Sequence, residues 1–209
     1  MIRSLTLSCC IYLVVGCASS PDSRTAGSGG VSVSSDVFRK SDDRVKAFEL
    51  SGSVDDLEQA LNYLEGIAGA ANEPVDDAIR KERTKKLLRL VKVVEQSMDP
   101  SFDPNDGPQF TVMPPWPSTK GSDPANEARL HDEYIAAVKA NEKKAEYCNR
   151  QIDLRNFYRE LEVRVCNAIA DDSRWLPGDW NDQVLVIAKC LGLSHHFQDV
   201  LRLGPKTIG

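Results

Sequence analysis

Ala125 to Ala170 reads ANEARLHDEYIAAVKANEKKAEYCNRQIDLRNFYRELEVRVCNAIA, 46 residues without a glycine or a proline. Asp123-Pro124 in front of it supplies an N-cap and a first-turn proline, and Glu127 puts an acid in the first turn. Leu130, Tyr134, Val138, Ala145, Cys148 and Ile152 keep one apolar stripe; Leu154, Tyr158, Leu161, Val165 and Ile169 keep another. At about 100° per residue the second stripe emerges on nearly the opposite face from the first. The expectation is one long helix, about 125–170, that bridges two layers. A break near Ile152 to Asn156 is the alternative, but no breaker residue stands there.

The flanking segments read the same way. Ser53-Val54-Asp55-Asp56 is a helix start with an N-cap serine and first-turn acids, and Leu57, Leu61 and Leu64 follow at helical spacing. A weaker short helix covers Asp42 to Leu50. Asn72-Glu73-Pro74 restarts the pattern, and Leu87, Leu90, Val91, Val94 and Met98 carry a helix to about Gln96. Lys81, Lys85, Lys86, Arg89 and Lys92 lie opposite that stripe. A basic amphipathic helix can lie on an anionic membrane, but a core helix with a solvated face is the commoner case and is preferred here. Trp175-Leu176-Pro177-Gly178 marks a reversal. A helix through Val184, Ile187, Ala188 and Leu191 then ends at Gly192, and Ser194 caps a last one from His195 to Leu203. The class is all-α, a helical bundle built around the long helix.

Between these helices, residues 99–123 turn to loop chemistry, with Asp99-Pro100, Asp103-Pro104, Asp106-Gly107-Pro108 and Pro114-Pro115-Trp116-Pro117. A connection of this length is long for a compact domain. Its acids do not fit a calcium loop: with Gly107 as the turn glycine, Phe102 and Pro104 fall on ligand positions. Pro114 to Pro117 favours an extended polyproline conformation, for which a strap laid over the helices is the preferred reading and docking of a partner through Trp116 the alternative.

The N-terminus differs in kind. Met1-Ile2-Arg3 precedes an apolar run from Ser4 to Gly16 that is too short for a spanning helix of roughly 20 residues. Val14-Val15-Gly16-Cys17 resembles the lipobox of bacterial lipoproteins. The resemblance implies that Cys17 is lipidated on sulfur and that a peptidase cuts between Gly16 and Cys17. The implied organisation is a signal peptide at 1–16, a lipidated cysteine and flexible Ser/Gly-rich tether at 17–41, and a helical domain at 42–209. Two or three acyl chains, at about 0.8 kcal/mol per buried methylene, would anchor the chain to a lipid bilayer rather than span it. Ala18 after the cysteine fits sorting to the outer membrane, facing the periplasm. Tyr134-Ile135-Ala136-Ala137-Val138 and Asn141-Glu142-Lys143-Lys144-Ala145-Glu146 are similar to a helix of uncharacterised bacterial envelope proteins, which implies no activity.

Removal of residues 1–16 leaves 193 of 209 residues and, with Arg3 gone, moves the formal net charge from −5 to −6. That balance argues against nucleic acid. Cys148, Cys166 and Cys190 remain, an odd count with no Cys-x-x-Cys, and three histidines supply no zinc spacing. No metal or cofactor is expected. On an intact long helix Cys148 and Cys166 stand about 27 Å apart, so Cys166 and Cys190 are the preferred pair if a bridge forms, with three reduced thiols as the equal alternative. Trp175 and Trp180 flank the turn and could hold a sugar ring, although clamping the helix hairpin is commoner. His195 and Asp199 share a helix face, so a base held by a carboxylate is conceivable. The leading expectation is a non-enzymatic envelope lipoprotein that contacts an envelope protein partner, or a second copy of itself, through helices. The alternative is an envelope enzyme or a carbohydrate- or peptidoglycan-binding module with its site near Trp175, Trp180 and His195.

Overall fold

The computed structural model describes residues 30–67, 75–105, 107, 109–114 and 123–203, with side chains from residue 35. Among them stand six helices and no strand: α1 Gly30–Ser51, α2 Val54–Gly66, α3 Asp77–Ser97, α4 Pro124–Ser173, α5 Trp180–Cys190 and α6 His195–Leu203. The all-α expectation holds, and α4 is continuous over 50 residues, about 75 Å at 1.5 Å per residue. None of the described helices is long and apolar enough to cross a membrane. Gly16, Cys17 and Trp116 lie outside the described residues.

The first correction concerns the tether. Helix α1 begins at Gly30 and covers residues assigned to the tether up to 41. Val37, Phe38, Ser41, Val45 and Phe48 recur at helical spacing, and their side chains explain the extension. Phe48 is buried, the three others pack on the core, and the buried Ser41 hydroxyl donates to the Ala60 carbonyl at 3.1 Å. The serine at this core position disguised the pattern.

Gly52 then reverses the chain. Its φ of +73° favours glycine, and its amide donates to the Phe48 carbonyl at 2.7 Å. A Cβ there would also meet the Arg150 guanidinium carbon at 2.8 Å. Ser53 occupies the N-cap of α2 as expected, but its hydroxyl does not cap. The turn is tied instead through Ser51, whose hydroxyl accepts from the Ser53 amide and donates to Asp56.

Helix α3 is the central element. The start expected at Asn72 to Pro74 lies outside the described residues; the cap is Asp76, whose carboxylate accepts from the Ala78 amide at 2.9 Å. Arg83, Thr84, Leu87, Leu88, Leu90, Val91 and Val94 are all buried. That band is too wide, and too fully covered, to lie on a membrane. The helix is the core element expected, and its Lys86 and Lys92 bind Asp42 and the Gly192 carbonyl.

Helices α3 and α4 run antiparallel. Arg83 meets Asp172, Glu95 meets Tyr158, and Ser97 meets Gln151. Where the pairing begins, Asp172 is fully buried among Arg80 at 3.2 Å, Arg83 at 3.0 Å and the Thr84 hydroxyl at 3.5 Å. Arg83 also donates to the Leu64 carbonyl at 2.9 Å, so one guanidinium joins the end of α2 to α4. Burial pushes the Asp172 carboxyl up from its ordinary range, and the two guanidiniums pull it partly back. Beyond α4, Gly192 at φ +65° ends α5 as expected, and the Ser194 hydroxyl accepts from the Phe197 amide at 3.2 Å to cap α6.

Candidate functional site

The two apolar stripes of α4 have different fates. Leu154, Leu161, Val165 and Ile169 are buried in the core, together with Phe157 and Ala168. Of the first stripe, Leu130, Tyr134, Val138, Ala145 and Cys148 are half-buried and Ile152 is exposed. Between Pro124 and Arg150 only Ala137 is buried. That stretch is about 40 Å of helix outside the core.

The connection after α3 lies along it. Gln151 accepts from the Asp99 amide at 2.8 Å and donates to the Ser97 carbonyl at 3.3 Å. Arg155 donates to the carbonyls of Asp99 and Phe102 at 2.9 and 2.8 Å, and its guanidinium lies over the Phe102 ring. Tyr147 meets Phe102 edge-on and donates its hydroxyl to Asp99. Further out, the Asn141 amide takes both the N–H and the C=O of Thr111, at 2.7 and 3.1 Å. Lys144 donates to the Gln109 carbonyl at 2.9 Å. The described residues among 99–114 thus form a strap along α4, while Pro115 to Pro117, on which the strap expectation rests, lie outside the described residues.

The clasp is a polar stripe on one helix face: Asn141, Lys144, Tyr147, Gln151 and Arg155 stand three or four residues apart. Hydrophobic periodicity counts only apolar residues, so this spacing escaped notice, although it is legible. The acids of the loop are turn formers. Asp99 and Asp103 each accept the amide two residues on, from Ser101 and Asn105 at 2.8 Å. The Tyr147 hydroxyl, then the Ser101 hydroxyl and amide, hold the Asp99 carboxyl down at about 2.

Asn141 holds Thr111 on both its backbone groups and Lys144 donates to its hydroxyl, while the residues on either side face water. Phe110 is 55% exposed and Val112 89%. Apolar side chains held on a fixed backbone and turned to water have the makings of a contact surface.

The other candidates are placed as follows. Trp180 is buried, with Lys81 over its ring, whereas Trp175 is exposed beneath the Arg80 guanidinium. The pair therefore clamps on one side and faces solvent on the other, and offers no joint sugar platform. Asp199 pairs with Arg202 at 3.1 Å, while His195 is exposed one turn earlier. Cys148, Cys166 and Cys190 are all free. The preferred Cys166–Cys190 bridge is not formed: Cys166 is buried on α4, and Cys190 is exposed at the end of α5. Burial, with the nearby Glu162 carboxylate, pushes the Cys166 thiol up to about 11, so it is a packed thiol rather than a nucleophile.

Fold and surface define an all-helical protein with a strap-bearing arm. No family model, no curated protein and no solved structure matches this chain.

Proposed function

We propose that the protein is a lipid-anchored envelope lipoprotein, held by Cys17 on the periplasmic side of the outer membrane, that works as a non-enzymatic adaptor through α4 and its strap. The observation that carries this reading is the display of Phe110 and Val112 on a backbone fixed by Asn141. The anchor rests on the lipobox resemblance at Val14 to Cys17. A tethered protein with an arm outside its core is suited to reach a neighbour. The two apolar side chains would be the first to lose water in the contact.

Two measurements test the halves of this reading separately. Labelled palmitate should enter the wild-type chain and not Cys17→Ser; equal labelling of both removes the anchor. A photo-crosslinker placed at Val112 in intact cells should capture an envelope protein or a second copy of the chain. The same group on exposed Asn149 should not. Equal capture from both positions, or none from Val112, removes the adaptor.

A further inference from the structure

Helices α1 and α3 and the end of α5 border a trough of about 500 Å³ that none of the strap residues lines. Val45 of α1, Leu90 and Val93 of α3, and Leu191 after α5 form its apolar floor. Leu90 is buried, whereas the other three pack on the core and keep part of their surface open. The rim is charged, with Lys46, Lys86, Arg89 and Lys92 against Asp42 and Glu49. Four cations against two acids make a positive rim on a chain whose formal net charge is −5.

The pairing within the rim decides which charges are left. Lys86 donates to both Asp42 oxygens at 2.8 Å, so that acid is neutralised. On α1, exposed Glu49 and Lys46 offset each other in sign, and Lys46 lies 3.8 Å from Asp43. Lys92 donates to the Gly192 carbonyl at 2.6 Å, a neutral acceptor, and keeps two donors for another group. Arg89 is exposed and pairs with no carboxylate among the described residues. Arg89 and Lys92 stand three residues apart on α3, so both charges sit over one edge of the trough. The trough below the α1–α2 turn is the reverse case: Asp55, Glu58, Glu146, Asp153 and Glu160 outnumber Arg150 there and repel an anion.

We propose that the trough between α1 and α3 binds a single-chain fatty carboxylate. The hydrocarbon chain lies over Val45, Leu90, Val93 and Leu191, and the head sits between Arg89 and Lys92. The Arg89 guanidinium matches a carboxylate with two parallel N–H···O bonds, and Lys92 adds a point charge. Size sets the class of occupant. A protein partner needs about 800 Å² of this chain's surface, far more than four side chains offer, whereas the volume falls in the range of small-ligand sites, about 300–1,000 Å³. The proposal depends on neither the anchor nor the adaptor reading.

Calorimetric titration of the full chain tests this, in the Cys17→Ser form so that no acyl group of its own competes. Laurate should bind saturably, one per chain. Butyrate, with the same head and little chain, should bind about a hundred-fold more weakly. Dodecanol, with the chain and no charge, should bind about ten-fold more weakly. Arg89→Gln should weaken laurate about ten-fold and leave dodecanol unchanged. Glu49→Gln removes the acid of the rim that pairs with no cation and should tighten laurate about two-fold. No saturable laurate binding, or equal laurate affinity in wild type and Arg89→Gln, overturns the proposal. Binding of phosphatidylglycerol vesicles without laurate binding gives this face to a bilayer, and a protein captured by a photo-crosslinker at Arg89 without laurate binding gives it to a protein; each overturns the fatty carboxylate. Circular dichroism identifies a variant that fails to fold, and Glu49→Gln then carries the comparison, because laurate binding that is not tightened in it also overturns the proposal.

Discussion

From Gln151 to Asp172, α4 buries nine side chains, whereas from Pro124 to Arg150 it buries one, Ala137. The inner half is held by leucine, valine and isoleucine packed on α2 and α3, and by one buried ion network. The outer half takes its described hydrogen bonds to the rest of the chain from the loop, through the Asn141 amide, the Lys144 ammonium and the Tyr147 phenol, and Arg150 at its inner end lies over the Phe48 ring. One uninterrupted helix thus runs through two regimes of stabilisation. The outer half needs little help to be helical: it has no glycine or internal proline, a capped start at Asp123, and an Arg129–Glu133 pair one turn apart. It needs the strap to be a surface.

The largest expected effect lies in the inner half. Asp172→Ala leaves two guanidiniums buried without their shared carboxylate and should cost about 3–5 kcal/mol in urea unfolding. A loss below about 1 kcal/mol, the value of an exposed pair, would mean that the network is not the junction described. The outer half predicts something smaller and local. Asn141→Ala removes both partners of Thr111, worth about 1 kcal/mol each at most. It should speed exchange of the Thr111 amide and proteolysis near Val112, with the global urea midpoint almost unchanged. A global loss matching that of Asp172→Ala would erase the distinction between the halves.

The smallest effect is a titration. Because Asp99 is held at about 2 against an ordinary 3.8, its hold on the strap is complete above the ordinary value and fails as pH falls through the lower one. Protection of the Ser101 amide should follow that curve. Tyr147→Phe removes the largest cause and should move the midpoint upward. An unmoved midpoint would assign the hold to Ser101 alone.

Much of this contrast was legible beforehand. The absence of helix breakers from Ala125 to Ala170 predicts α4, and the switch of stripe near Ile152 predicts that its ends meet different surroundings. What escaped notice are polar residues in structural positions. Arg83 stands four residues before Leu87, and Asp172 three after Ile169, so both are in register with apolar stripes; a charge at such a position signals a buried partner. Ser41 does the same in α1. The clasp escaped for the complementary reason, since a stripe of Asn, Lys, Tyr, Gln and Arg carries no hydrophobic period. Of the alternatives left open at the hairpin, the free cysteines and the buried Trp180 follow the reduced-thiol and clamp readings, because proximity along a hairpin says nothing about which way two side chains point.

The length of the connection after α3, odd for a loop, has a geometric reason. Helix α3 ends beside Gln151, but α4 begins at Pro124, about 40 Å away along its own axis, so the chain must travel the arm's length before it can turn into it. Strap and arm therefore gauge each other. Between the contacts with Lys144 and Asn141, two residues of strap accompany three of helix. Insertions or deletions in one should be inherited only with matching changes in the other, so related chains would vary the arm's reach in paired steps while the core beneath it keeps its dimensions.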